Sequence, residues 1–238
     1  MGKGDLISHG FIFARGGSKG LPRKNVKSLA GRPMICYSID IAKKVDKLDR
    51  VFVSTDDDEI ARIAESQGAT VIERPSHLAG DSSAEWDSWR HAVEWVRDQV
   101  GDFQEMVSLP VTSPLRSVQD VEAAMFKRER LKADICISMT EASRSPYFNM
   151  VREIDGEQIK LVIDPQNRVY RRQDSPRVFD VSTVVYAMSV DFIMTHEGIF
   201  EGKVVAIEVP KERAVDIDDI YDFMLAEAIL KRVDEVNA

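Results

Sequence analysis

From Gly10 to Asn25 the chain reads GFIFARGGSKGLPRKN, an apolar run that breaks into glycines and basic residues. Phe11 to Ala14 is short and continuously apolar, as a buried strand of a parallel sheet is. Gly16, Gly17 and Gly20 open backbone conformations closed to other residues, so that amides can turn inward on an anion. Arg15, Lys19, Arg23 and Lys24 add positive charge around that cradle, which suits a polyphosphate. Two familiar loops are excluded by spacing. Gly20 is followed by Leu21 and Pro22 where a P-loop needs Lys and Ser or Thr, and the GxGxxG dinucleotide fingerprint is absent.

Beyond the loop, strand and helix patterns alternate as in a doubly wound α/β fold. The pattern predicts a helix over Pro33 to Val45, a strand over Arg50 to Ser54, a helix over Asp57 to Gln67 and a strand over Ala69 to Glu73. Trp86, Trp89, Val93 and Val96 fall at helical spacing and read as a core stripe. Met106 to Leu109 and Asp134 to Met139 read as strands around a helix over Val118 to Leu131. Asn149 to Ile163 then reads as a hairpin turning at Asp155 and Gly156, inside a β-rich excursion over about 140–190. A strand over Val204 to Val209 and a helix over Ile220 to Val233 close the pattern. With no repeat or low-complexity linker, 1–238 reads as one domain.

At 238 residues and 44% hydrophobic content the chain can bury a sizeable core. A net charge of −8, with its cations confined to loops, argues against nucleic acid or an anionic membrane as partner. Cys36 and Cys136 lack paired spacing and read as reduced thiols. Met1 to His9 is polar and no apolar run reaches membrane-spanning length, so the expectation is a cytoplasmic enzyme. The four histidines are scattered, and no GxSxG elbow marks a hydrolase. Asp216 and Asp218 alternate on a segment expected to be extended, so their carboxylates can share a side as hard ligands for Mg²⁺. The competing reading is that acidic residues before a helix merely suit its dipole.

RGGSKGLPRKN resembles the N-terminal signature of the acylneuraminate cytidylyltransferase family, which activates sialic acids and related 2-keto-3-deoxy sugar acids. The resemblance continues through VSTDDDEIARIAESQGATVIERPSHLAGD at Val53 to Asp81, TSPLR at Thr112 to Arg116 and VDIDDIYDF at Val215 to Phe223. It implies a Rossmann-like nucleotidyltransferase sheet whose β-rich insertion serves a homodimer. The implied reaction is Mg²⁺-dependent transfer of CMP from CTP to a sugar acid.

Lys24, Arg15, Asp216 and Asp218 would be catalytic by this resemblance, with the two aspartates on the metal and Lys24 at the α-phosphate. CTP would lie against Ala14, Arg15, Gly16, Ser18, Lys19 and Lys24, with Asn25 and Arg74 beside the cytidine. The sugar acid would meet Thr112, Ser113, Arg116, Arg172 and Tyr186. Asp81 matches a family position without a role. The family's glutamine before TSPLR is missing from Leu109, Pro110 and Val111; an Asn-Gly pair is replaced by Ser182 and Thr183, and a second arginine by Asp180. A legionaminic-type acid or a different anionic acceptor is therefore as plausible as N-acetylneuraminate. A sugar-phosphate nucleotidyltransferase and a non-catalytic nucleotide-binding module are the alternatives.

Overall fold

The computed structural model of the chain describes residues 6–17, 20–80, 83–164, 171 and 174–237, with side chains described through 232. Its first half delivers the expected alternation with boundaries shifted by one to three residues. Strand β1 (Ser8–Phe13) leads through a small ribbon, β2 (Ser28–Leu29) and β3 (Arg32–Pro33), into helix α1 (Met34–Lys44). Pro33 stands at the N-cap of α1, one residue earlier than the expected first turn. Strand β4 (Arg50–Thr55), helix α2 (Asp58–Ser66) and strand β5 (Thr70–Glu73) follow. Asp57 caps α2 by accepting from the Glu59 and Ile60 amides, each at 3.0 Å. Helix α3 (Glu85–Gln99) and strand β6 (Glu105–Ser108) complete this half.

Helix α4 (Val118–Leu131) opens with a Ser117–Asp120 capping box and ends at Lys132, whose φ of 48° breaks the helical run. Strand β7 (Ile135–Glu141) comes next, and then a separate hairpin, β8 (Val151–Glu153) with β9 (Ile159–Leu161). Gly156 turns that hairpin at a φ of 77°, in the left-handed region that a side chain would strain. Strand β10 (Phe179–Ser189), helix α5 (Val190–Thr195), strand β11 (Val204–Glu208) and helix α6 (Ile220–Asn237) end the chain.

The main sheet has the order β11-β7-β10-β6-β1-β4-β5. Its pairs are parallel except those of β10, which runs antiparallel between β6 and β7. This corrects the expected extent of the β excursion over 140–190. Both of its ends belong to the main sheet, and only the segment between β7 and β10 departs from it. The sequence reading gave 179–189 no strand of its own and left it inside the excursion; its pairing with β6 and β7 is what places it in the main sheet.

Two cores lie on opposite faces of this sheet. One joins Ile12, Val53 and Leu109 to α1, α2, α4 and α6. The other stacks Phe11, Phe52 and Met106 against the Trp86, Trp89, Val93 and Val96 stripe of α3 and against α5. The tryptophan stripe is thus core, as its spacing predicts. Cys36 and Cys136 are buried free thiols. Among the described residues no helix is long and apolar enough to cross a membrane.

Candidate active site

Because β1, β4 and β6 are parallel, the segments that leave them emerge at one edge of the sheet, where open α/β sheets bind ligands. The glycine loop leaves β1 there, Arg74 follows β5, and Leu109 to Ser113 leave β6. The segment 215–219, ahead of α6, closes over the same edge. Buried Ile217 anchors it through its amide, which donates to the Thr112 carbonyl at 2.8 Å.

Contacts far apart in sequence join the glycine loop to that acidic segment. Lys24 donates to the Ile217 carbonyl at 2.6 Å and pairs with Asp218 at 3.2 Å; its side chain keeps 13% exposure against 77% for Asp218. A Cβ at Gly20 would run into the Asp218 carbonyl, so this close approach demands glycine. On the other flank the Gly16 amide donates to Asp56 at 2.9 Å. Arg23 does not join the cradle as expected. At a φ of 57° it turns to Asp57, 2.5 Å away, and to Glu59. Its guanidinium holds the Asp57 carboxyl below the usual carboxylate range.

Two adjoining chambers result. The first, of about 320 Å³, has the cations Arg15, Lys24 and Arg74 in its lining together with Phe13, Leu78 and Glu85. The second, of about 250 Å³, is formed by Pro110, Val111, Thr112, Thr183, Tyr186, Asp216 and Asp218. Phe13, Asn25, Glu85 and Thr112 line both. Asp216 and Asp218 thus share one chamber, as their alternation predicts. Asp216 Oδ1 is buried there with no hydrogen-bond partner. Among the described residues no set of three metal-ligating side chains occurs. Two carboxylates with a lone buried oxygen fit a Mg²⁺ ion that takes its remaining ligands from water and phosphate.

Several expected ligand residues have other engagements. Asn25 lines both chambers while its amide nitrogen donates to the Arg15 carbonyl at 2.9 Å. Arg74 is buried, donates to the Ser54 hydroxyl and carbonyl, and lies 5.6 Å from the Phe13 ring centre. Arg15 lines the first chamber and reaches the Ala79 carbonyl at 3.4 Å. Ala14 is fully buried at the end of β1. Ser18, Lys19, Asp81 and Arg172 lie outside the described residues.

Arg116 requires a correction. It lines neither chamber; it is 3% exposed beneath them and bonds neutral acceptors only. It donates to the Val184 carbonyl at 2.7 Å, to the Ser38 hydroxyl at 2.6 Å and to the carbonyls of Pro110 and Thr183. Burial pushes its pKa down to about 9, which leaves it charged at neutral pH. Its acceptors explain its place. The register of β10 against β7 jumps between Ser182 and Tyr186, and Thr183 and Val184 lie in that irregularity. Ser138 stitches the same bulge, its hydroxyl accepting from the Val185 amide at 3.1 Å.

The bulge brings Thr183 into the second chamber. Its hydroxyl lies 3.1 Å from that of Thr112 and 2.7 Å from that of fully buried Ser113. Tyr186 borders the same chamber, with burial and the nearby charges of Glu85 and Asp216 raising its pKa to about 12. Glu85 is the group that sequence reasoning passed over, since an acid in the first turn of a helix is ordinary. It keeps surface open to the chambers while the protein around it pushes its carboxyl above the usual range, against the pull of Arg74.

Comparisons with known proteins show the family and the fold. The chain is 32% identical over 225 residues to the post-translational flagellin modification protein B of Campylobacter coli, covering 92% of this chain and 93% of that one. It is 31% identical to the CMP-N,N′-diacetyllegionaminic acid synthase of Campylobacter jejuni, with the same coverage of each. Its fold matches that of a CMP:2-keto-3-deoxy-manno-octonic acid synthetase complexed with CTP, with a TM-score of 0.71 at 18% identity over 95% of this chain and 99% of the other. The cytidylyltransferase family profile matches residues 10–231, and with that match over nearly its whole length the chain belongs to the cytidylyltransferase family.

Proposed function

We propose that this protein transfers CMP from CTP to the anomeric hydroxyl of a 2-keto-3-deoxy sugar acid of the nonulosonate class, releasing pyrophosphate. The observation that carries the reading is the pair of adjoining chambers. One is lined by Arg15, Lys24 and Arg74, and the other holds Asp216 with a lone buried oxygen. The legionaminic acid synthase among its relatives supports the acceptor class.

In this reading Arg15, Lys24 and the glycine-loop amides hold the triphosphate and offset charge that shifts onto pyrophosphate. The sugar hydroxyl attacks the α-phosphorus; an O–P bond forms, the bond to pyrophosphate breaks, and the hydroxyl proton passes to water. Thr112, Thr183 and Tyr186 orient the sugar in the second chamber. The described lining of that chamber contains no cation, so the acceptor's carboxylate needs positive charge from elsewhere. A Mg²⁺ ion held by Asp216 and Asp218 would supply that charge and acidify the attacking hydroxyl. We further propose a homodimer. Met150, Val151, Ile159, Val162, Ile163 and Val181 expose apolar surface on and beside the hairpin, which pairing of two copies would cover. Light scattering that returns a monomer mass would remove the dimer.

The deciding experiment measures pyrophosphate release from CTP and Mg²⁺ with N-acetylneuraminate, N,N′-diacetyllegionaminate, an octulosonate and a no-sugar control. Release that depends on a nine-carbon acid is expected; CTP binding with silence for every acceptor would leave a nucleotide-binding module. Lys24→Ala is expected to cut the acceptor-dependent rate by about 100-fold or more, since it removes a charged contact at the phosphates. Its melting temperature should drop by a few degrees only, because a partly exposed ion pair contributes about 1 kcal/mol or less. Loss of the folded circular dichroism signal in this variant would assign Lys24 a structural role instead.

A further inference from the structure

We infer that Ser113, Thr183 and Thr112 form a polarised chain of hydroxyls that delivers one hydrogen-bond donor to an oxygen of the sugar acid in the second chamber. The inference rests on the cytidylyltransferase reading, which puts the acceptor in that chamber. It deepens that reading by giving a positioning role to Ser113, which lines neither chamber.

Counting protons sets the direction of the chain. Three hydroxyls carry three protons, and two contacts join them, Ser113 to Thr183 at 2.7 Å and Thr112 to Thr183 at 3.1 Å. Ser113 is fully buried, and among the described residues its hydroxyl has Thr183 as its one partner. Were Thr183 the donor in that contact, the Ser113 proton would be buried without an acceptor, which costs more than the bond returns. Ser113 therefore donates and Thr183 accepts. The contact between Thr183 and Thr112 uses one of the two protons that remain, whichever way it runs. One proton is always left over.

That proton has a single direction to go. Among the described residues no backbone carbonyl or carboxylate accepts from any of the three hydroxyls. Thr112 and Thr183 both line the second chamber and both keep exposed surface, so the spare proton emerges there from either one. A hydroxyl that accepts a bond is the stronger donor for it, and buried Ser113 thus strengthens the one offered to the ligand. Three other residues of the same lining, Glu85, Asp216 and Asp218, are carboxylic acids, which only accept when ionised. A sugar acid is rich in oxygens that accept. Donors are what such a wall has to add.

The test measures pyrophosphate release from CTP and Mg²⁺ with N,N′-diacetyllegionaminate and with N-acetylneuraminate, together with thermal melting. Thr112→Val/Thr183→Val keeps the shape of both side chains and removes both exits for the proton. The KM for the acceptor should rise about five- to tenfold, the worth of one hydrogen bond, while the KM for CTP changes by less. The melting temperature should fall by a few degrees, because Ser113 is left buried without a partner. Adding Ser113→Ala removes that orphan, so this triple variant should regain most of the lost melting temperature and keep the raised acceptor KM. Thr112→Ser/Thr183→Ser, which retains the hydroxyls and drops the methyls, should recover most of the acceptor KM. An acceptor KM that stays within twofold of wild type in the double Val variant, or that returns with the melting temperature in the triple variant, would overturn the inference and leave the cytidylyltransferase reading standing. A rise in the KM for CTP alone would overturn it as well. Wild type silent with both acids would remove the nonulosonate reading and the inference with it.

Discussion

Asp216→Asn is expected to lower acceptor-dependent pyrophosphate release by about two to three orders of magnitude, which is the effect of removing a charge that organises the transition state. The same substitution should leave the melting temperature unchanged or raise it. Asp216 Oδ1 is buried without a hydrogen-bond partner, and burying an unpaired carboxylate oxygen costs stability in the unliganded protein. Asparagine occupies the same volume without the charge. A site held ready for a ligand is therefore strained in its absence, and relieving it exchanges activity for stability. Kinetics at saturating CTP with calorimetry on the same preparation would check both signs. A variant of full activity, or one that loses activity only by unfolding, would take Asp216 out of the reaction.

Arg116→Met is expected to show the opposite balance, a loss of roughly 3–5 kcal/mol in stability from stripping a buried charged donor from its acceptors. At a few degrees per kcal/mol for a chain of this size, the melting temperature should fall by about 10 °C. The carbonyls of Pro110, Thr183 and Val184 and the hydroxyl of Ser38 would lose their shared donor in a place that water does not reach. Activity should fall along with stability, because the bulge that carries Thr183 loses its support. Arg116→Lys should recover only part of either, since an ammonium cannot fork to acceptors on two sides. Melting of the Met variant within about 2 °C of wild type would contradict this account.

The sheet and its helices were legible wherever local periodicity and caps agree. Asp57 before α2 is one such signal and the Ser117–Asp120 box before α4 another. The glycine loop was legible in its place after the first strand, and Asp216 with Asp218 as neighbours in one chamber from their alternation. Arg23 was misread because its basic character is local, whereas its direction follows from a left-handed φ and from carboxylates on α2. Arg116 was misread because TSPLR identifies a motif without saying which side of the chain faces the cavity. Glu85 was missed because nothing nearby in sequence shows that a helix start lies against two chambers.

Residue order alone settled the alternation of strands and helices, the place of the glycine loop after the first strand and the chemical types gathered at the edge of the sheet. Those properties depend on neighbours within a few positions, where side-chain spacing and backbone preference act directly. Only the tertiary structure decided that β10 enters the sheet antiparallel, that its bulge presents Thr183, and that Lys24 reaches across 193 positions to Ile217. Such contacts are set by packing and by the need to satisfy buried polar groups, which operate between residues adjacent in space and carry no local signature in the chain.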